Sequence, residues 1–395
     1  MTPAPVAAEV SWPQVFGFRT ARQFLTAPAP GMLDVARDLF GVHAQVMSSA
    51  ELAVGVRTTG LTSADVAAAL LPGTALRTVD HHDGSERSRK PSAPLLVKTW
   101  AMRGTLHLLT VPDFALHAAA GSLRRHWLQP SWLKAFGVSK DELLALVDAV
   151  PKVLDGRCLT RQELTDALIA ELGTEHMRER LGQGWGMLLK PAAFQGLLCF
   201  GPNQGRNVTF VRPDQWIGGW ETLDPEAAMD EIARRYLAAY GPASPKDLAR
   251  WWGGTPAFAR QRLARLGDDV VEVSVEGRRA SVLSADLDLV VSGPPARGVR
   301  LLGGFDQYVV GASAHLGELL AGGSRELVSR TAGWISPVLL VDGRIAGVWS
   351  YERKGGRFSI SVTPFGTMPA RVKKALKVEA TRLSAFLEAE VEVTL

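Results

Sequence analysis

The chain has 395 residues, of which 46% are hydrophobic, so it is long enough to divide into several domains, each with its own core. Its formal net charge is only +4, no apolar run reaches the roughly 18 to 20 residues of a membrane span, and the N-terminus lacks the basic and apolar regions of a signal peptide. These properties exclude a membrane-spanning protein, permit phosphate binding without requiring it, and lead us to expect a cytoplasmic protein.

Residues 17–130 show the first pattern of helices followed by a strand. The signals are an apolar helical repeat at Met32, Val35, Leu39 and Val42, a helix start at Thr62–Asp65 that continues to Leu71, and a strand from Thr99 to Thr110. Within that strand Arg103, Thr105 and His107 alternate, which predicts that their side chains lie on one face. The region is compatible with a winged helix-turn-helix.

The tripeptide His43-Ala44-Gln45 follows the first of these helices. In an extended segment residues i and i+2 project to the same side, which places the imidazole of His43 beside the carboxamide of Gln45. An imidazole can accept a proton near neutral pH, and an amide can both donate and accept a hydrogen bond. The pair could hold and activate one water molecule for hydrolysis. A purely structural histidine is the other interpretation of these three residues.

A polar stretch from Asp80 to Ser92 contains His81, His82 and Asp83, which are residue types that bind metal ions. Its Gly, Ser and Pro residues predict a surface loop instead. The cysteines, Cys158 and Cys199, lie far apart in sequence and lack the spacing of metal ligands. We expect no metal ion and no cofactor.

The order helix, helix, β-hairpin occurs in the middle of the chain. Thr160–Glu163 is a capping box that begins a helix through Ile169, and a second helix is predicted around residues 185–198. Residues 199–211 then have the pattern of strand, turn and strand. Two short helices followed by a hairpin are typical of a winged helix-turn-helix.

The same order is repeated downstream. Ser244-Pro245 and Thr255-Pro256 each begin a helix, and Gly253-Gly254 ends the first of them. A hairpin follows from Val270 to Leu283, with its turn at Glu276–Arg279. The repetition predicts a tandem array.

The composition changes to strands after a linker at residues 292–298. Strands are predicted at Val338–Val341, Ile345–Tyr351 and Phe358–Val362. The tip of the last hairpin contains Arg353, Lys354 and Arg357. This tip is either a solvated turn or a basic loop that reaches a nucleic-acid groove.

Four segments resemble the winged-helix DNA glycosylases of the AlkZ and YcaQ type: Gln45–Arg57, Met102–Leu109, Leu302–Gly311 and Val341–Trp349. The resemblance runs from about Gly17 to the C-terminus. It implies hydrolysis of the N-glycosidic bond of N7-alkylated guanine or other alkylpurines in double-stranded DNA, including bulky adducts and interstrand cross-links. The catalytic motif of that family is Gln, an aliphatic residue, then Gln or Asp.

The resemblance implies that His43 and Gln45 are catalytic, with His in the place of the first Gln of the motif. N7-alkylation makes guanine cationic and a good leaving group, so the strong general acid of ordinary glycoside cleavage is not required. His43 would orient or deprotonate the water, and Gln45 would fix it with a second hydrogen bond.

The resemblance also implies an α+β fold in which three tandem winged helix-turn-helix units form a concave DNA-binding surface, followed by a C-terminal strand-rich region. The expected units are residues 17–130, 131–225, 226–298 and 299–395. The cations expected to contact DNA lie in the predicted hairpins and the second helix of the third unit: Arg206, Arg260, Arg262, Arg278, Arg279, Arg353, Lys354 and Arg357.

Two other functions remain open from the sequence. A non-catalytic winged-helix transcriptional regulator would be a symmetric dimer that reads a palindrome, whereas three internal copies favour one asymmetric surface on a monomer. An RNA-binding module is disfavoured because no aromatic platform for single strands is evident.

Overall fold

The structure is a computed structural model that describes residues 6–73, 93–183 and 186–394. Its helices are α1 Trp12–Arg22, α2 Met32–Asp38, α3 Met47–Gly55, α4 Ser63–Ala68, α5 Val111–Gly121, α6 Pro130–Phe136, α7 Lys140–Val153, α8 Arg161–Leu172, α9 Arg178–Gly182, α10 Lys190–Phe194, α11 Pro213–Trp216, α12 Pro225–Tyr240, α13 Pro245–Trp252, α14 Pro256–Arg265, α15 Leu287–Ser292, α16 Gln307–Gly311, α17 Leu316–Leu319, α18 Arg325–Val328 and α19 Ala370–Leu387. Its strands are β1 Glu9–Val10, β2 Val42–His43, β3 Leu96–Trp100, β4 Leu106–Thr110, β5 Leu159–Thr160, β6 Cys199–Phe200, β7 Thr209–Val211, β8 Val270–Val275, β9 Arg278–Leu283, β10 Val299–Leu302, β11 Val338–Val341, β12 Arg344–Lys354, β13 Arg357–Pro364 and β14 Glu390–Thr394.

The chain divides into two compact units. The first contains the residues up to Ala67 and those from Ala233 onward, and the second contains the described residues from Ala68 to Ile232. The segment with the His-Ala-Gln triplet therefore shares a unit with the C-terminal part of the chain. The predicted first winged-helix unit, residues 17–130, is divided between the two.

The first unit has a small sheet built from distant parts of the sequence. Strand β1 pairs in parallel with β8, which pairs antiparallel with β9. Helix α1 packs in the same core, where Phe16 and Phe18 meet Val273 and Val282 from the hairpin. Helices α13 and α14 precede the hairpin, as the sequence predicted, and Gly253 ends α13 in the left-handed conformation that glycine tolerates best.

The first unit also has a sheet in the order β10-β11-β12-β13-β14, in which β14 runs parallel to β13. Helix α19 covers one face of this sheet, and its apolar residues Val372, Leu376 and Leu383 pack against Trp349 and Ile360. The sequence analysis predicted only strands in this region. The helical spacing of those three apolar residues is the signal that it missed.

The second unit is built on strands in the order β4-β3-β6-β7-β5. The capping box at Thr160 is present, because the amide of Thr160 donates to the carboxylate of Glu163 at 2.8 Å and α8 follows. The helix predicted around residues 185–198 is confirmed only as the short α10, and Trp185 lies outside the described residues. The possible metal ligands His81, His82 and Asp83 also lie outside them.

The strand predicted from Thr99 to Thr110 is instead a hairpin. Strands β3 and β4 pair antiparallel, and the chain reverses at Met102–Gly104. Arg103 has a φ of 57° and Gly104 a φ of 68°, both in the left-handed region that a tight turn uses. The prediction that Arg103, Thr105 and His107 share one strand face is therefore wrong, because Arg103 lies in the turn.

Within residues 6–73, 93–183 and 186–394, no helix has both the length and the apolar character needed to cross a membrane.

Candidate active site

The His-Ala-Gln triplet connects a strand to a helix in the first unit. His43 ends β2, and α3 begins at Met47. Ala44 is fully buried, whereas Gln45 is partly exposed to solvent. His43 is 5% exposed, so its imidazole lies mostly below the surface. The triplet thus has one polar side chain at the surface and another just beneath it.

The imidazole of His43 is the first of three aromatic rings in contact, of which only the first two are stacked. The ring of Phe305 is nearly parallel to it, with centroids 5.0 Å apart and an interplanar angle of 13°. Phe305 in turn meets the ring of Trp334 at 72°, with centroids 4.9 Å apart. A flat contact of this kind fixes the plane of the imidazole and so restricts the directions in which its nitrogens can point.

The loop that carries Phe305 is held in place by an ion pair between Asp306, the next residue, and Arg57. The carboxylate of Asp306 accepts two hydrogen bonds from the guanidinium of Arg57, each 2.8 Å long, and both side chains are 0% exposed. Arg57 lies just beyond the end of α3 and also donates to the carbonyl oxygens of Gln23 and Ala53 at 2.9 Å. The double hydrogen bond ties the Phe305 loop to the helix that follows the triplet.

Gln307 makes a second link, to the chain before the triplet. Its side-chain amide nitrogen donates to the carbonyl oxygen of Gly41 at 2.6 Å. Phe305 itself has a φ of 59°, which is costly for a bulky residue and persists only where the surroundings enforce it. Gln307 therefore ties the Phe305 loop to Gly41, which precedes His43, and Asp306 ties it to Arg57, which follows His43.

Two glycines allow this loop to approach its neighbours closely, Gly303 towards α3 and Gly304 towards Ile335. A Cβ atom at Gly303 would lie 3.3 Å from the Cβ of Leu52, and one at Gly304 would lie 3.1 Å from the carbonyl oxygen of Ile335. Both distances are tighter than side chains ordinarily accept. A side chain at either position would therefore make the neighbouring residues shift by a few tenths of an ångström.

A cavity of about 140 Å³ lies beside α3. Ser48 and Glu51 of α3 line it, together with Tyr351 and Arg353 of β12 and Leu383 of α19. The start of α3 and the end of β12, which leads into the basic hairpin tip, therefore border the same cavity. The sequence did not predict that these segments are neighbours.

The basic hairpin tip between β12 and β13 is exposed, and its cations have local partners. Arg357 pairs with Glu390 at 2.9 Å, Lys354 lies 3.4 Å from Glu352, and the guanidinium of Arg353 lies 5.2 Å from the ring centroid of Phe358. Exposed ion pairs contribute little to stability and exchange readily for other anions. These contacts leave the tip available to bind phosphates.

The cations of the β8–β9 hairpin and of α14 differ in exposure. Arg260 is exposed, Arg278 pairs with Glu318 at 3.2 Å, and Arg279 pairs with Glu272. Arg262 is only 4% exposed, and its guanidinium lies 4.7 Å from the ring centroid of Phe258. A buried guanidinium cannot reach a phosphate, so we remove Arg262 from the predicted DNA contacts.

Arg206 and a cluster of basic residues belong to the second unit. Arg206 is exposed in the turn that the Gln204–Asn207 bridge closes. Burial and the charge of Arg103 lower the pKa of Arg124 to about 9. Burial and the charge of Arg124 lower the pKa of His117 to about 3, so this histidine stays neutral near pH 7. Neither Arg124 nor His117 was among the residues predicted from the sequence.

No group of three His, Cys, Asp or Glu side chains in the parts of the chain that the structure describes is arranged to hold a metal ion. The site residues that the sequence analysis missed are Arg57, Asp306 and Trp334. A charged residue within an apolar stretch, such as Arg57 after Leu52–Val56, is the signal for a buried ion pair.

Comparisons with known proteins extend over most of the chain. Residues 90–386 match the family described as "DNA glycosylase AlkZ-like". The interstrand DNA cross-link repair glycosylase of Streptomyces sahachiroi is 39% identical over 386 residues, which cover 95% of this chain and 96% of that protein. The solved structure of the Streptomyces sahachiroi DNA glycosylase AlkZ superimposes with a TM-score of 0.80 at 37% identity, covering 98% of this chain and 100% of that one.

Proposed function

The chain belongs to the AlkZ-like family of DNA glycosylases, and from this premise we propose that it hydrolyses the N-glycosidic bond of N7-alkylated guanine or another alkylpurine in double-stranded DNA. The relative from Streptomyces sahachiroi is named for interstrand cross-link repair, which makes cross-links and bulky adducts candidate substrates. The enzyme would be monofunctional: it releases the base and leaves an abasic site.

The observation that carries this proposal is the aromatic and ionic support of His43. The matched family segment begins at residue 90, so the triplet itself lies outside it. Phe305 and Asp306, however, lie within that segment: Phe305 stacks on His43, and Asp306 binds Arg57, which follows α3. An imidazole held in one plane, two residues before the partly exposed Gln45, is suited to orient a water molecule.

The chemistry makes modest demands on these residues. A cationic N7-alkylguanine leaves without prior protonation, so the protein needs to supply a water molecule and to stabilise the positive charge that develops on the sugar. His43 would accept the proton of that water, and Gln45 would position it. Neither role requires a metal ion or a cofactor.

We propose that the helix pairs and hairpins form the DNA-binding surface as three winged helix-turn-helix units in tandem, followed by the strand-rich region from residue 299. The α13-α14-β8-β9 segment supports one such unit, since two short helices precede a hairpin with exposed Arg278 and Arg279. One asymmetric surface of this kind suits a monomer, and a DNA repair enzyme of this family suits the cytoplasm.

The test is to incubate the protein with duplex DNA that carries N7-methylguanine and, separately, a bulky N7 adduct. We expect released base and an equal amount of abasic sites, without strand breaks until heat or alkali is applied. Binding without any base release from either duplex would contradict the proposal and favour the transcriptional regulator.

Removing the cations of the hairpin tip is expected to weaken DNA binding. In the triple variant Arg353→Ala, Lys354→Ala and Arg357→Ala, the salt dependence of log K should flatten by up to about three units, at roughly 0.9 for each phosphate that the variant no longer neutralises. Measuring affinity at several salt concentrations gives this slope. The substitution Glu390→Gln is a matched control, because it releases Arg357 from its partner and should strengthen binding. A triple variant with the wild-type slope would identify the tip as an ordinary solvated turn.

A further inference from the structure

The loop from Ser329 to Ile335 lies beside the candidate site and was not predicted to take part in it. Its ends are joined by a β-bridge between Ser329 and Ile335, and the amide of Arg330 donates to the carbonyl oxygen of Trp334 at 2.8 Å. Gly333 has a φ of 75°, which lets the chain turn tightly just before Trp334. The loop is therefore closed by its own backbone.

Trp334 is the only exposed tryptophan in the described parts of the chain, with 47% of its surface accessible. An exposed indole forgoes the stabilisation that burial of so large a ring would give. The indole of Trp334 is nevertheless held in place, because it packs against the ring of Phe305. The loop thus presents a fixed aromatic surface to solvent.

The aromatic contacts connect this surface directly to the triplet. Trp334 meets Phe305, and Phe305 stacks on His43. The amide of Phe305 also donates to the carbonyl oxygen of Ile335 at 3.3 Å, which joins the two loops through their backbones. A planar group that stacks on Trp334 would consequently lie two rings away from the imidazole of His43.

The charges around Trp334 favour a nucleic acid as the occupant. Arg325 and Arg330 lie on the same segment, with Glu326 as the acidic residue between them. Exposed cations in the same surface segment as an exposed aromatic ring are suited to binding a phosphate backbone and stacking on its bases. A protein partner would be expected to cover Trp334 with apolar residues, whereas the two exposed arginines of this segment suit a phosphate backbone.

We propose that Trp334 is a DNA-contact residue that stacks on a nucleobase exposed where the duplex opens at the damaged step. This stacking holds the sugar of the damaged nucleotide against His43 and Gln45. The inference rests on the proposed function, since it assigns a role at the same site. It adds the residue that recognises the opened duplex, whereas the triplet acts on the bond that breaks.

The experiment compares wild type, Trp334→Ala and Trp334→Phe in binding to two duplexes, one intact and one with a tetrahydrofuran abasic analogue opposite 2-aminopurine. Trp334→Ala is expected to lose between about fivefold and about a hundredfold in affinity for the abasic duplex, the range that stacking of one base on an aromatic side chain supplies. Its affinity for the intact duplex should change much less. Trp334→Phe should keep most of the affinity, and 2-aminopurine fluorescence should be quenched by wild type but not by Trp334→Ala.

Val378→Ala is the matched control, because Val378 is an exposed apolar residue on α19 and should bind both duplexes as wild type does. Equal binding and equal quenching by wild type and Trp334→Ala would overturn the inference, as would an equal loss of affinity for both duplexes. These readouts need no base release. Wild type that quenches 2-aminopurine but releases no alkylpurine would therefore refute the proposed function and leave the stacking role supported.

Discussion

Replacing His43 by alanine is expected to reduce the rate of base release by about a hundredfold or more, because a positioned general base typically contributes at least that much. Gln45→Ala should also reduce the rate of base release. Affinity for duplex DNA should change little in either variant, because phosphate contacts elsewhere supply most of the binding. Single-turnover release of N7-methylguanine, with affinity measured in parallel, tests both expectations.

Two further substitutions at His43 separate its chemistry from its packing. His43→Phe keeps an aromatic ring against Phe305 but removes the proton acceptor, so it should fold as stably as wild type and remain as inactive as His43→Ala. His43→Gln restores the residue that the family motif has at this position and should retain more activity than either. Activity equal to wild type in His43→Phe would place the catalytic group elsewhere and leave His43 a structural residue.

The elements that could be predicted are those whose signals are local. The predicted capping box at Thr160 and the helix start at Ser244 depend on amides within three residues of the cap, and the structure shows a capping box at both. Glu276-Gly277 and Asp342-Gly343 adopt positive φ at both positions, as tight hairpin turns require. Each of these features depends on a few consecutive residues, so one sequence is enough to find it.

The parts that could not be predicted depend on residues far apart in sequence. Arg57 and Asp306 are separated by 249 positions, and nothing in either neighbourhood identifies the other. The pairing of β1 with β8 likewise joins the N-terminus to the third predicted unit. The triplet could be selected as a candidate from its own residues, but the rings of Phe305 and Trp334 that support it only come together in the folded chain.

Breaking the ion pair of Arg57 and Asp306 is expected to lower the stability of the first unit more than the loss of any of its exposed ion pairs. Asp306→Ala or Asp306→Asn leaves the guanidinium of Arg57 buried without its carboxylate, and breaking a buried pair in this way typically lowers the free energy of unfolding by about 3 to 5 kcal/mol. Arg57→Met should lower the free energy of unfolding by a similar amount, because it leaves the carboxylate of Asp306 buried without its guanidinium. Chemical denaturation measures the change directly, provided that the transition stays two-state.

A double-mutant cycle distinguishes the pair from the loss of ordinary packing. If the two charges stabilise the fold mainly through each other, the double variant Arg57→Met with Asp306→Ala should be less destabilised than the sum of the two single variants, because it leaves neither charge buried alone. The exposed pair of Arg357 and Glu390 is the control, since its removal should have a far smaller effect. Additive single effects would show that each residue acts through separate contacts.

Base release by the double variant tests whether the ion pair also positions the imidazole of His43. If the pair holds Phe305 against His43, the folded double variant should still lose activity. Full activity would mean that the pair stabilises the unit without orienting the imidazole.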